Sequence, residues 1–139
     1  MQLNEFINRN LGKKVDFDGQ YGAQCVDLFR QYCRDVLGTE HTGGVEGAKD
    51  LFLKYSELPL EKKHFIKIVE PVPEAGDVLV WGATKSNPYG HVAIFIAKSL
   101  QSGKLIVFEQ DGFRQDGAKF AVRDETNLLG VLRFRGRVF

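Results

Sequence analysis

The spacing of apolar residues changes at Pro59, and that change limits the fold more than any other feature of the chain. Before it, apolar side chains return every three or four residues. Leu3, Phe6, Ile7 and Leu11 predict a short amphipathic helix stopped by Gly12. Cys25, Leu28, Phe29, Tyr32, Cys33, Val36 and Leu37 predict a second helix over 25–37, with a wide apolar stripe and an end at Gly38. Beyond the loop HTGGVEGAK, Val45, Ala48, Leu51, Phe52 and Tyr55 share one face of a third. After Pro59 the runs are short, β-branched or aromatic: FIKIV (65–69), DVLVWG (77–82), HVAIFIAK (91–98), KLIVFEQ (104–110), KFAV (119–122) and GVLRFRGRVF (130–139). Gly, Pro, Asn and Asp separate them. Helices first and strands afterwards predict an α+β fold, with the helices packed on a mostly antiparallel sheet of about six strands.

The 139 residues are one domain's worth, with no repeat, low-complexity tract or interdomain linker. Lys and Arg number 19 against 18 Asp and Glu, so charge makes no case for nucleic acid or a membrane surface. Residues 1–20 hold no apolar run of the secretory kind, and nothing reaches transmembrane length. Cys25 and Cys33 sit on one predicted helix, roughly 12 Å apart by helical rise, beyond the roughly 7 Å that a disulfide spans. Both are expected as thiols.

The segment DFDGQYGAQCVD carries an unusual density of oxygen donors. With Asp16 as the first position, Asp18, Gln20, Gly22 and Asp27 fall at the third, fifth, seventh and twelfth, the offsets of a calcium loop. A hard cation wants six or more oxygens, and a tight loop supplies them from alternate residues. Tyr21 occupies the position that usually needs glycine, so Gly19 and Gly22 are expected to make the turn. The alternative is a plain Asp-Gly turn.

Cys25 stands at the predicted N-terminus of the second helix, where the macrodipole and unpaired N–H groups favour a thiolate. Those N–H groups also suit an oxyanion on an attacked carbonyl, and Gln24 offers a side-chain amide to the same place. The alternative is a small core residue, which is how Cys33 reads. A nucleophilic thiol needs a base. His41 and His64 read as solvent-exposed, whereas His91 opens a strand and would sit at a sheet rim. Glu109 closes another strand, on the face of Leu105 and Val107, where a carboxylate would orient the imidazole. Trp81 and Tyr89 are candidates to line a groove or to be core aromatics. Arg133, Arg135 and Arg137 alternate along the last strand and are expected to keep a sheet edge soluble, the alternative being contact with an anionic polymer.

Four segments, YGAQCVDL, Pro73 with Gly76–Trp81, YGHVAIF and VFEQDG, together resemble the CHAP domain, the cysteine, histidine-dependent amidohydrolase/peptidase of phage endolysins and bacterial wall hydrolases. They occur in order across essentially the whole chain. The resemblance implies a papain-like fold, with Cys25 as nucleophile, His91 as base, Glu109 as orienting acid and Gln24 in the oxyanion hole. Asp111 stands where the family commonly has Asn and is a further candidate, its extra carboxylate able to perturb His91. Similarity of DFDGQYGAQCVD to the calcium-binding subset implies Ca²⁺ held by Asp16, Asp18, the carbonyls of Gln20 and Gly22, and Asp27. The implied function is hydrolysis of a peptidoglycan amide by a monomer, as an endopeptidase in preference to an amidase acting between muramic acid and L-alanine. A calcium-dependent wall-binding module without turnover is the competing class. With no leader visible, the expected location is the host cytoplasm until lysis, or the virion. Either a minimal lysin or the catalytic fragment of a longer one is expected.

Overall fold

The computed structural model describes residues 1–70 and 72–139. Helix α1 (Leu3–Asn10) precedes the acidic loop, and α2 (Cys25–Tyr32) follows it. Helix α3 (Asp50–Leu53) and a 3₁₀ turn at Tyr55–Glu57 lead to α4 (Pro59–His64). The strands are β1 (Phe65–Ile68), β2 (Val78–Trp81), β3 (His91–Lys98), β4 (Leu105–Glu109), β5 (Lys119–Arg123) and β6 (Leu128–Phe134). They form one sheet in the order β1-β6-β2-β3-β4-β5, and all five pairings are antiparallel. The fold is α+β, as the change of period predicts.

The sheet's two faces carry different cores. Val78, Val80, Val92, Ile94, Phe108 and Leu132 meet Phe6, Leu28, Phe29, Tyr32 and Leu51 of the helices. The alternate residues Leu79, Trp81, Ala93, Phe95, Leu105, Val107 and Val131 form a smaller cluster on the other face. Buried on both sides, VLVW of β2 is a central strand, as a continuous apolar run should be.

Four local expectations need correction. The 25–37 helix is α-helical only to Tyr32; Cys33–Leu37 is a π-turn, closed where Gly38 takes φ 66° and Thr39 N–H donates to the Cys33 carbonyl at 3.0 Å. Of the third helix only Asp50–Leu53 is α-helical. Pro59, read as a boundary, begins α4, since a proline at the first helical position loses no hydrogen bond that a helix would make. The arginine stripe is not on an edge: β6 ends at Phe134 and lies between β1 and β2. Arg133 holds the buried Asp77, with Nε 3.0 Å from Oδ1 and Nη2 2.8 Å from Oδ2, and Arg135 Nη2 donates to the Lys62 carbonyl at 3.4 Å.

Candidate active site

Cys25 is the first residue of α2 and is half-buried with a free thiol. Gln24 N–H donates to Asp27 Oδ2 at 2.9 Å, and Asp27 N–H donates to the Gln24 carbonyl at 3.1 Å. That reciprocal turn fixes how the chain enters the helix, at the end where free N–H groups favour negative charge.

His91 enters from the sheet. Gly90 before it takes φ +75°, and a Cβ there would lie 2.4 Å from the Trp81 carbonyl oxygen, so the position admits only glycine. Asn87 clamps the same turn, Nδ2 donating to the Gly90 carbonyl at 2.8 Å and Oδ1 accepting from Tyr89 N–H at 3.1 Å. His91 Nε2 lies 3.0 Å from Glu109 Oε1. Cys25 lines the same cleft as His91, and Nδ1 is the ring nitrogen that Glu109 leaves free for it. The Trp81 ring centroid is 5.8 Å from that of the imidazole. Trp81 is itself 7% exposed and donates from Nε1 to the Asp124 carbonyl at 3.2 Å, so it backs the imidazole from the core.

Glu109 is 1% exposed and would be costly to ionise there without partners. Arg123 supplies one. Its Nη2 lies 2.7 Å from Oε2, and its Nε bonds Oε1. Arg123 stands opposite Leu105 in the β4–β5 register and reaches back along the strand, its guanidinium 5.9 Å from the Trp81 ring centroid. Burial pushes the Glu109 carboxyl up, but Arg123 and His91 outweigh it and hold the pKa at about 2. Burial likewise works against charge on His91, yet Cys25 and Glu109 raise its pKa to about 9. Both groups are therefore charged at neutral pH.

Arg123 and Gln110 were not singled out from the sequence. Gln110 is fully buried: Oε1 accepts from Val15 N–H at 2.8 Å, while Nε2 donates to the carbonyls of Val15 at 2.7 Å and Gln24 at 2.9 Å. It ties the residue beside the thiol to the residue beside the orienting acid. Its place directly after Glu109 was the only signal available. Cys33 is fully buried, and burial raises its thiol to about 12, in keeping with a core role.

Asp111 does something other than touch the imidazole. Its Oδ1 accepts from the N–H groups of Phe113 at 2.8 Å and Arg114 at 3.4 Å, capping its own turn. His41 and His64 are half-buried, not exposed. The His41 ring packs 5.2 Å from that of Phe17, and His64 Nε2 lies 3.1 Å from Glu40 Oε2.

Two clefts meet at His91. The first, about 460 Å³, is lined by Cys25, Gln24, Tyr21, Tyr89, His91 and Phe113 among others. The second, about 670 Å³, runs past Trp81, Thr84, Lys104, Arg123 and Asn127. Asn87, Gly90, His91, Asp111 and Phe113 belong to both, and Cys25 only to the first.

In the acidic loop, carboxylate oxygens of Asp16, Asp18 and Asp27 lie within 4.8 Å of one another. Asp27 is 1% exposed, and its Oδ1 has no hydrogen-bond partner. Desolvation, with the nearby charges of Asp18 and Asp16, pushes its carboxyl up. Arg30 Nη1 reaches Asp18 Oδ2 at 3.2 Å and stands 3.9 Å from Asp27 Oδ1. Gly19, Tyr21 and Gly22 all take positive φ, so Tyr21 joins the two glycines in making the turn. Three carboxylates against the single charge of Arg30 leave a net negative donor set, and Asp27 Oδ1 has no hydrogen-bond donor, which fits a hard cation such as Ca²⁺.

The CHAP domain family model matches residues 14–111, which span Cys25, His91 and Glu109 but not Phe113 or Arg123. The chain belongs to the CHAP-domain family. This CHAP domain is 34% identical over 94 residues, 66% of its length, to the D-alanyl-L-alanine endopeptidase of Streptococcus phage B30, of which it covers 20%. It is 31% identical over 102 residues, 67% of its length, to the endolysin PlyTW of Staphylococcus phage Twort, of which it covers 19%. The chain thus spans about a fifth of these curated relatives. Among solved structures it resembles the wild-type endolysin LysIME-EF1, with a TM-score of 0.73 at 26% identity, covering 96% of this chain and 64% of the other. No helix among the described residues is long and apolar enough to cross a membrane.

Proposed function

We propose that this CHAP domain hydrolyses an amide bond of bacterial peptidoglycan by thiol catalysis, as an endopeptidase. The observation that carries the reading is a helix-terminal thiol lining one cleft with an imidazole whose Nε2 is held by a buried, ionised carboxylate. Cys25, as the thiolate paired with the His91 imidazolium, attacks the scissile carbonyl carbon. The Cys25 N–H and the Gln24 side-chain amide face the oxyanion that forms. Collapse breaks the C–N bond, and the imidazolium gives its proton to the departing amine. His91 then takes a proton from water, whose oxygen attacks the thioester and frees the carboxylate and the thiol. Glu109 keeps the imidazole oriented and offsets its charge, with Arg123 holding Glu109 in place.

The likeness to the phage B30 enzyme, whose name specifies a D-alanyl-L-alanine bond, supports endopeptidase action. Asp16, Asp18 and Asp27, with the carbonyls of Gln20 and Gly22, would hold Ca²⁺. Bound there, the ion would cancel the loop's negative charge and tie it to the first turn of α2. The protein would reach the wall when the host lyses, as an endolysin does.

Mass spectrometry of purified Gram-positive walls after digestion tests the reading. New D-alanyl carboxyl termini paired with new peptide amino termini are expected. Release of muramic acid from an intact L-alanyl peptide would make the domain an amidase, and no new termini at all would refute hydrolysis.

A further inference from the structure

Phe113 is 67% exposed and lines both clefts at their junction. An aromatic ring standing in water is not unusual in itself. What sets this one apart is how firmly its turn is held. Asp111 Oδ1 accepts from Phe113 N–H and Arg114 N–H, and Gln115 N–H donates to the Asp111 carbonyl at 3.0 Å. Gln115, in a left-handed conformation at φ 54°, closes the other side. Its Nε2 donates to the Gly112 carbonyl at 2.7 Å and the Ala23 carbonyl at 3.0 Å, and its Oε1 accepts from Ala23 N–H at 3.0 Å. The turn is therefore bolted to the backbone two residues before the nucleophile. A left-handed non-glycine residue is strained and persists only where its surroundings over-determine it.

We infer that Phe113 is a specificity-determining residue that grips the substrate peptide where it passes from one cleft into the other, and that the Asp111–Gln115 turn positions it. The inference rests on the hydrolase reading and adds a contact to it. During turnover the acyl portion is bonded to Cys25, which only the first cleft contains, while the amine leaves past His91, which both contain. A leaving strand that continues past His91 into the second cleft crosses the junction, and there it meets the ring. Val122, 59% exposed, is the other exposed apolar side chain along the second cleft, where Trp81 is largely buried. The pair suits a leaving strand with small alkyl side chains, lying on the ring without needing a charged partner. Asp111 then has a role that explains its bonds: its carboxylate builds the mount.

Steady-state kinetics on a soluble crossbridged wall peptide test this. Phe113→Ala should raise KM about tenfold, the scale of a lost aromatic contact, with kcat within about twofold and an unchanged melting temperature. Phe113→Tyr should restore KM. Asp111→Ala should raise KM by as much, Asp111→Asn should return it because the amide oxygen accepts the same N–H groups, and the Asp111→Ala/Phe113→Ala double variant should be no worse than Phe113→Ala. A KM within about twofold of wild type for Phe113→Ala overturns the inference. So does a loss in Asp111→Ala that falls on kcat with a displaced alkaline limb, which would put Asp111 on His91. Cosedimentation of Cys25→Ala with walls separates this failure from that of hydrolysis. If adding Phe113→Ala weakens retention about tenfold, the contact stands even without turnover, and equal retention removes it.

Discussion

Two histidine–carboxylate pairs in this protein have nearly the same length and opposite settings. His91 Nε2 is 3.0 Å from Glu109, with side chains 12% and 1% exposed; His64 Nε2 is 3.1 Å from Glu40, with 18% and 69%. Water solvates Glu40 and screens its attraction to the ring, so a surface pair of this kind contributes little. Glu109 is buried away from solvent, and its charge is shared between the imidazole and the guanidinium of Arg123. Distance does not separate the two pairs. The thiol on one side of His91 and the arginine behind Glu109 do.

The largest test of that contrast is substitution. Cys25→Ala and His91→Ala should each lower kcat/KM for wall peptide by at least about a thousandfold, while His64→Ala stays within about twofold. Equal losses at the two histidines would show that the wrong pair has been chosen. Chelation comes next. If the acidic loop holds Ca²⁺, EDTA should lower activity and melting temperature together, by about 2–3 kcal/mol of stability when the ion stands at 100 times its Kd, and excess Ca²⁺ should restore both. Insensitivity of both would remove the ion from the account.

Arg123→Met sharpens the comparison by leaving Glu109 to His91 alone. Turnover should fall by about tenfold, and the alkaline limb of the pH–rate profile should move upward, because Glu109's charge then acts undivided on the imidazolium. The wild-type limb is expected near pH 9, where His91 loses its proton. The stability signs follow from the same shifts. His91's pKa is raised on folding, so its contribution is complete below the ordinary histidine range and is lost as pH climbs through about 9. Glu109's is depressed, so its contribution is present above the ordinary carboxylate range and is lost as pH falls toward about 2. The smallest effects belong to the controls. Cys33→Ala should cost about 1–2 kcal/mol of stability with kcat retained, and Glu40→Gln should change stability by less than about 0.5 kcal/mol.

The sequence shows some parts of this molecule and hides others for a physical reason. Cys25, His91 and Glu109 are conspicuous because each stands at the end of an element whose period is easy to read. Arg123 is not, since its pairing with Glu109 depends on the β4–β5 register and on a side chain reaching back along the strand. The interior position of β6 is hidden likewise: strand order is not chain order, so a stripe of arginines that looks like an edge becomes a partner for buried Asp77. Gln110 and Gln115 act across 86 to 95 residues of sequence, through hydrogen bonds to backbone that no local pattern announces. The local rules located most of the elements and the residues at their ends, and the long-range polar bolts needed the fold.

The most direct test is an NMR titration of the His91 ring in the wild-type protein and in Glu109→Gln. The account predicts that His91 titrates near pH 9 and drops toward the ordinary histidine range when the carboxylate is neutralised. A wild-type His91 that titrates near or below 6.5, indifferent to Glu109, would contradict it.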